Sequence, residues 1–252
     1  MLKWFCAIAL IGLPLVGLSQ SAMTAEALSR SQRQQFEQVI RDYLLEHPEL
    51  IAEALERLEA KRQAETEDRN RQLIAALQPE LFRSPYDHVA NPDGRIPVVE
   101  FFDYQCGYCK RVRPAIERLR TEQADVRLIY KEFPILGPAS VFAAKAAIAS
   151  RRQGGDKYVA LHNALLALKG GLDQETVFMA AREVGLDVER LKQDMEAPEV
   201  EQAIEFNRGL AQQMNVRGTP TIIVGQTLLP GAVPYERLAQ AVQEARENCA
   251  VC

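Results

Sequence analysis

The chain has 252 residues, 47% of them hydrophobic and 25% charged, a composition that suits a soluble globular protein with one sizeable core. Its formal net charge of −4 speaks against a strongly basic face and so against nucleic acid as a partner. The three histidines, His47, His88 and His162, stand far apart; this leaves a histidine-built metal centre or a Ser-His-Asp hydrolase poorly supported, and each is expected at a surface or a helix end.

Residues 1–25 read as an export signal. Lys3 supplies the positive start, and Trp4 to Leu18 is an apolar run of about 15 residues, short of the roughly 20 that a bilayer-spanning helix needs. Ser19 to Ala25 is small and polar, so cleavage is expected within it, an uncleaved anchor being the alternative. Cleavage removes Cys6 and leaves two pairs, Cys106 with Cys109 and Cys249 with Cys252. An exported chain can hold them as disulfides, but so few cysteines suit chemistry better than scaffolding.

Residues 26–83 read as helical. Phe36, Val39, Ile40, Tyr43 and Leu44 recur at helical spacing, His47-Pro48 interrupts, and Leu50, Ile51, Ala54, Leu55 and Leu58 form a second stripe. From Glu56 to Arg71 both charge signs are mixed, as on a solvated helix. So few apolar residues make no core alone; the region must pack on the main domain or on copies of itself. Pro85, Pro92, Gly94 and Pro97 mark 84–97 as linker and turn.

Val98 to Phe102 reads as a buried strand, Cys106 to about Gln123 as a helix containing Pro114, and Val126 to Tyr130 as a second strand. Residues 138–213 turn helical. Thr221 to Val224 and Thr227 to Leu229 form a hairpin turning at Gly225-Gln226, and Tyr235 to Ala245 is a last amphipathic helix. Residues 84–137 and 214–252 then make one α/β domain, with 138–213 inserted as a helical block.

Cys106-Gly107-Tyr108-Cys109 lies where a strand hands over to a helix. Unpaired N–H groups and the helix dipole stabilise an anion there, so the first thiol can act as a nucleophile. Cys109, one turn on, is placed to resolve a mixed disulfide. Half a zinc site or a structural bridge are the alternatives for an isolated pair of this spacing. Glu100 is a lone charge in an apolar strand and is costly there unless paired or functional. It can relay a proton for Cys109, with Lys131 at the end of the next strand counted in the same catalytic group as its partner if the two strands are neighbours; a plain structural ion pair is the alternative. Pro220, in Gly218-Thr219-Pro220-Thr221, begins a strand; a cis Thr219–Pro220 bond would free nearby backbone to take an extended peptide, whereas an ordinary trans turn is the default.

Together, Val98 to Cys109, Tyr130-Lys131-Glu132-Phe133-Pro134 and Gly218-Thr219-Pro220-Thr221 resemble the DsbA-like branch of the thioredoxin superfamily over about 84–252. The resemblance implies a thioredoxin fold with an inserted helical domain and an N-terminal helical extension, a cis Pro220, Cys106 as nucleophile, Cys109 as resolving thiol and Glu100 as the buried acid, with no cofactor. Gly107-Tyr108 and Thr219 are similar to the DsbC isomerases rather than to the DsbA oxidases. Tyr43 to Ile51 resembles the ScsC (suppressor of copper sensitivity C) proteins, some of which trimerise through such an extension. These resemblances imply a periplasmic disulfide isomerase or reductase, possible homotrimer formation through 26–83, client proteins with cysteines as substrates, Gly107, Tyr108, Thr219 and Pro220 beside the client, and a membrane electron donor resembling DsbD or ScsB. A monomeric DsbA-like oxidase and a thiol-based copper-binding protein are the rivals. Cys249-Ala250-Val251-Cys252 departs from the pattern and is read as inert, with a local disulfide, an electron shuttle to Cys106 or a soft-metal site as alternatives.

Overall fold

The computed structural model describes residues 29–248, which divide into two compact units at Leu58/Glu59. Helix α1 (Arg30–Glu46) opens on a capping box, Ser29 Oγ accepting from the Gln32 amide while the Gln32 side chain accepts from the Ser29 amide. It ends at His47, the residue before Pro48, and α2 (Glu49–Ala76) follows. In the first unit Phe36, Val39, Ile40, Tyr43, Leu50, Ile51 and Leu55 are all exposed.

The second unit begins inside α2. The apolar end of α2 carries Leu73 and Ile74, with Leu77 just beyond it as the N-cap of α3 (Gln78–Phe82), and Ile74 is buried with Leu81 and Phe82 of that helix. The sequence places a boundary at 83; the division falls at 58 instead, because these side chains are part of the main core. Within 84–97, read as linker, His88–Ala90 forms a short strand β1 that pairs antiparallel with β3 (Val126–Glu132). Three residues are too few to show a period of two, so only the partner strand reveals it.

The sheet has five strands in the order β1-β3-β2-β4-β5, with β2 (Ile96–Phe102), β4 (Thr221–Val224) and β5 (Thr227–Pro230). Every residue of the central β2 is buried, which explains its continuous apolar run. β2 and β3 are parallel, joined by α4 (Gly107–Glu122), and the other pairs are antiparallel. Side chains alternate faces. Val98 and Phe102 pack with Leu128 under α4, while Val99, Phe101 and Ile129 pack on the opposite face with Leu210, Met214, Ile74 and Phe82. Between β3 and β4 the chain forms α5 (Pro138–Ser150), α6 (Gly155–Ala167), α7 (Gln174–Glu183), α8 (Val188–Met195) and α9 (Pro198–Gln213). Helix α10 (Tyr235–Asn248) closes the fold; Arg246 binds Asp125 and Gln123, at the end of α4 away from Cys106. The sheet with its helices is a thioredoxin-like fold carrying an N-terminal helical region. Among the described residues no helix is long and apolar enough to cross a membrane. The export-signal reading of 1–25, Cys6, Cys249 and Cys252 lie outside the described residues.

Candidate active site

The turn from β2 into α4 is held by one carboxylate. Asp103, buried, accepts from the amides of Ile135 at 2.8 Å, Leu136 at 2.9 Å and Gln105 at 2.7 Å, and from Ser140 Oγ at 2.7 Å. Gln105 Nε2 in turn donates to Leu136 O and Ser140 Oγ. The approach to Cys106 is thereby fastened to the loop after β3 and the start of α5. Sequence reasoning missed Asp103; an acid directly between a buried strand and a helix start was the available signal.

Cys106 is the N-cap of α4 and makes no side-chain cap bond, so the first-turn amides of the helix are left for the sulfur and its ligands. Its Sγ donates to Thr219 O at 3.1 Å, and the Thr219–Pro220 bond is cis. The structure therefore brings Cys106, Cys109, Thr219 and Pro220 together, from segments more than a hundred residues apart. Both cysteines are free, with Cys109 wholly buried and Cys106 nearly so. Burial, then the Glu100 charge, pushes the Cys109 thiol far above its ordinary value. Tyr108 is exposed at the rim, with the Arg111 guanidinium 4.7 Å over its ring. Gly107 has open space where a Cβ would stand.

Glu100 sits in register with Tyr130 and shares a sheet face with it, beneath α4. Burial, reinforced by the charge of Glu117, pushes its carboxyl up to about 8. Neither Glu100 Oε1 nor Tyr130 Oη has a hydrogen-bond partner among the described residues. An acid so placed exchanges its proton near neutral pH, as a relay for a buried thiol must.

Lys131 is not its partner. β2 and β3 are neighbours, but Lys131 is in register with Phe101, one residue along, and a one-residue offset turns it to the opposite face. There, fully buried, its Nζ donates to Asp87 Oδ2 at 2.5 Å and to Glu80 O at 2.7 Å, tying α3 and the segment before β1 to the sheet. Burial lowers the lysine's proton affinity and raises that of Asp87, and each opposes the shift in the other. Lys131 thus belongs to the framework and not to the thiol site.

His162 is likewise not at a surface. It is buried with its Nδ1 3.3 Å from Tyr104 Oη, and Tyr104 and Tyr158 both donate to Glu132 Oε1, at 2.8 and 2.9 Å. Burial pushes Glu132 up to about 8 despite those two donors, and lowers His162 to about 3. His88 on β1 packs against Tyr158, ring centroids 4.4 Å apart; only His47 stands at a helix end, as the C-cap of α1. Among the described residues no cluster of three or more His, Cys, Asp or Glu side chains is suited to a metal ion.

The carbonyl that precedes a cis proline, set against the first of two thiols at a helix start in this sheet, defines a thioredoxin-fold dithiol site. Residues 97–243 match the DSBA-like thioredoxin domain, and residues 32–65 match the copper resistance protein ScsC N-terminal domain. The chain belongs to the DSBA-like thioredoxin family, and the matched domain is a thiol–disulfide oxidoreductase. Among solved structures it is similar to a thioredoxin-like oxidoreductase from Silicibacter pomeroyi, at 46% identity and TM-score 0.65, covering 68% of this chain and 98% of that one. It is also similar to BcfH of Salmonella enterica Typhimurium, at 32% identity and TM-score 0.73, covering 86% and 96%. A curated relative, a Na(+)/H(+) antiporter NhaA of Salinispora arenicola, is 30% identical over 162 residues, 63% of this chain; the chain spans only 24% of that protein's length.

Proposed function

We propose that the chain is a periplasmic disulfide isomerase or reductase of ScsC type, exported by residues 1–25, acting on cysteine-bearing client proteins and assembled through its N-terminal helices, with a homotrimer as the proposed form. The observation that carries the reading is the contact of Cys106 Sγ with the carbonyl of cis-bonded Thr219 at the start of α4, with Cys109 and Glu100 buried behind it. Cys106 as thiolate attacks one sulfur of a client disulfide; a mixed disulfide forms and the other client sulfur leaves as a thiolate. That thiolate can attack a second client disulfide, and the client thiolate released there attacks the client sulfur of the mixed disulfide, which leaves the pairing rearranged and expels Cys106 as the thiolate. Otherwise Cys109 gives its proton to ionised Glu100 and attacks Cys106 Sγ. The client leaves reduced, and two electrons have passed from the enzyme, which now holds a Cys106–Cys109 disulfide. A membrane electron donor resembling DsbD or ScsB restores both thiols. Gly107, Tyr108, Thr219 and Pro220 border the client.

Assembly is supported by the apolar stripe of the first unit, where Phe36, Ile40, Tyr43 and Ile51 remain exposed; a row of that kind on a lone helix pair is normally covered. The test is refolding of scrambled ribonuclease. Recovery of activity that requires Cys106 supports the isomerase, whereas no recovery together with rapid oxidation of reduced ribonuclease leaves the oxidase reading in its place. Solution mass of a Phe36→Glu, Ile40→Glu variant against the parent checks the assembly, which a monomer in both would end.

A further inference from the structure

A groove of about 1270 Å³ opens beside Tyr108, Thr219 and Pro220. One wall is the edge of the sheet, β5. The facing wall is α2, whose Arg62, Thr66 and Asn70 line the groove at helical spacing. The same stripe continues into Leu73, Ile74 and Leu77, which dock on the core. α2 is therefore apolar where it rests on the domain and polar where it overhangs the groove.

β5 is an edge strand with one open position. Val224 and Thr227 flank the two-residue turn as a hydrogen-bonded pair, and Gly231 N donates to Pro220 O at 2.8 Å, so the antiparallel alternation turns the Leu228 N–H and C=O outward. Pro230, two residues on, has no N–H to offer and limits pairing to that point. A short extended segment can bind there, while a second full strand cannot.

The lining also holds a small excess of positive charge. It carries three arginines and two glutamates, in a chain of net charge −4. Arg237 is paired with Glu244 at 3.7 Å and Glu67 accepts from Gln63 Nε2 at 2.9 Å, whereas Arg62 and Arg217 form no ion pair among the described residues, Arg217 donating only to Asn215 Oδ1; two unpaired arginines thus stand against one glutamate.

We infer that this groove takes an extended client segment bearing Asp or Glu beside its cysteine, held between Arg62 on α2 and Arg217 before the cis proline, with main-chain bonds to Leu228. The inference rests on the thiol-exchange reading above and adds the substrate class that the site prefers. α2 thereby becomes part of the client site as well as the link to the first unit.

The experiment compares reduction of two disulfide-linked peptides, with acidic and with basic flanks, by the reduced full-length protein. kcat/KM for the acidic peptide is expected to exceed that for the basic one by about fivefold at low salt, and the ratio to approach one at 1 M salt. In an Arg62→Glu, Arg217→Glu variant the ratio falls to one or below. Because the ratio compares two peptides on one enzyme, a general loss of folding or of thiol reactivity cancels. A ratio of one in the parent, or a parent ratio that persists in the variant, overturns the inference while exchange itself stands. No exchange by the parent with either peptide or with neutral hydroxyethyl disulfide overturns the thiol-exchange reading, and this inference with it.

Discussion

Replacing Glu100 by Gln tests the buried acid through stability as well as through chemistry. Glu100 is wholly buried with its carboxyl pushed up to about 8, against an ordinary value of 4.5. Below pH 4.5 both folded and unfolded chains hold this proton, and it contributes no pH dependence. As pH rises from there the unfolded chain releases the proton while the folded chain keeps it. Stability then falls by about 1.4 kcal/mol per pH unit until the folded carboxyl ionises near 8. Between pH 5 and 7.5 the loss is about 3 kcal/mol, a large part of a typical domain's stability. Glu100→Gln removes this slope. A buried amide without partners costs about 1–3 kcal/mol, but that offset does not depend on pH. Glu132 titrates in the same range in both proteins and cancels in the difference. Urea denaturation of the reduced parent and variant, at half-unit steps from pH 5 to 8, should show the variant gaining on the parent by about 3 kcal/mol across the range. Resolution of a mixed disulfide at Cys106, followed by stopped flow, should slow by tenfold or more, as loss of a proton relay requires. Parallel stability curves would refute the reasoning, since they would mean that Glu100 is solvated or paired in the folded state.

Three further outcomes follow from the geometry. Lys131→Met should cost about 3–5 kcal/mol because Asp87 is left buried and unpaired, and Lys131→Met with Asp87→Asn should recover most of it; equal loss in both by chemical denaturation would refute the pairing as the source of the cost. Asp103→Asn keeps the side-chain shape but loses acceptor capacity for its four donors, so it should lower stability by about 2–3 kcal/mol and slow client exchange, read from denaturation and kcat/KM together; unaltered kinetics would separate this anchor from the site. Iodoacetamide, followed by mass spectrometry, should modify Cys106 well before Cys109, whose thiol is both covered and held protonated; equal rates would contradict the assigned order of attack.

The thiol pair, the acid in β2, the proline before β4 and the order of β2, α4, β3, β4, β5 and α10 are legible along the chain, because each is a local pattern: a spacing, a misplaced charge, an apolar run, a punctuating residue; β1 is not. The N-terminal boundary was misread because the apolar residues that decide it, Ile74, Leu81 and Phe82, look like any helical stripe until a sheet face is found to cover them. The pairing of charges was decided only in three dimensions. Lys131 and Glu100 stand on neighbouring strands, yet the register offsets them by one residue, and the pleat sends one toward the thiols and the other toward Asp87. His162 gives no local sign of burial; Phe102 and Tyr130 from two strands, Tyr104 from the turn before α4 and Tyr158 from its own helix close over it. Sequence alone thus determined which reactive groups this protein owns, because side-chain chemistry is carried residue by residue. The tertiary structure decided which of them meet, because sheet register and face are properties of paired strands and do not exist in a single one.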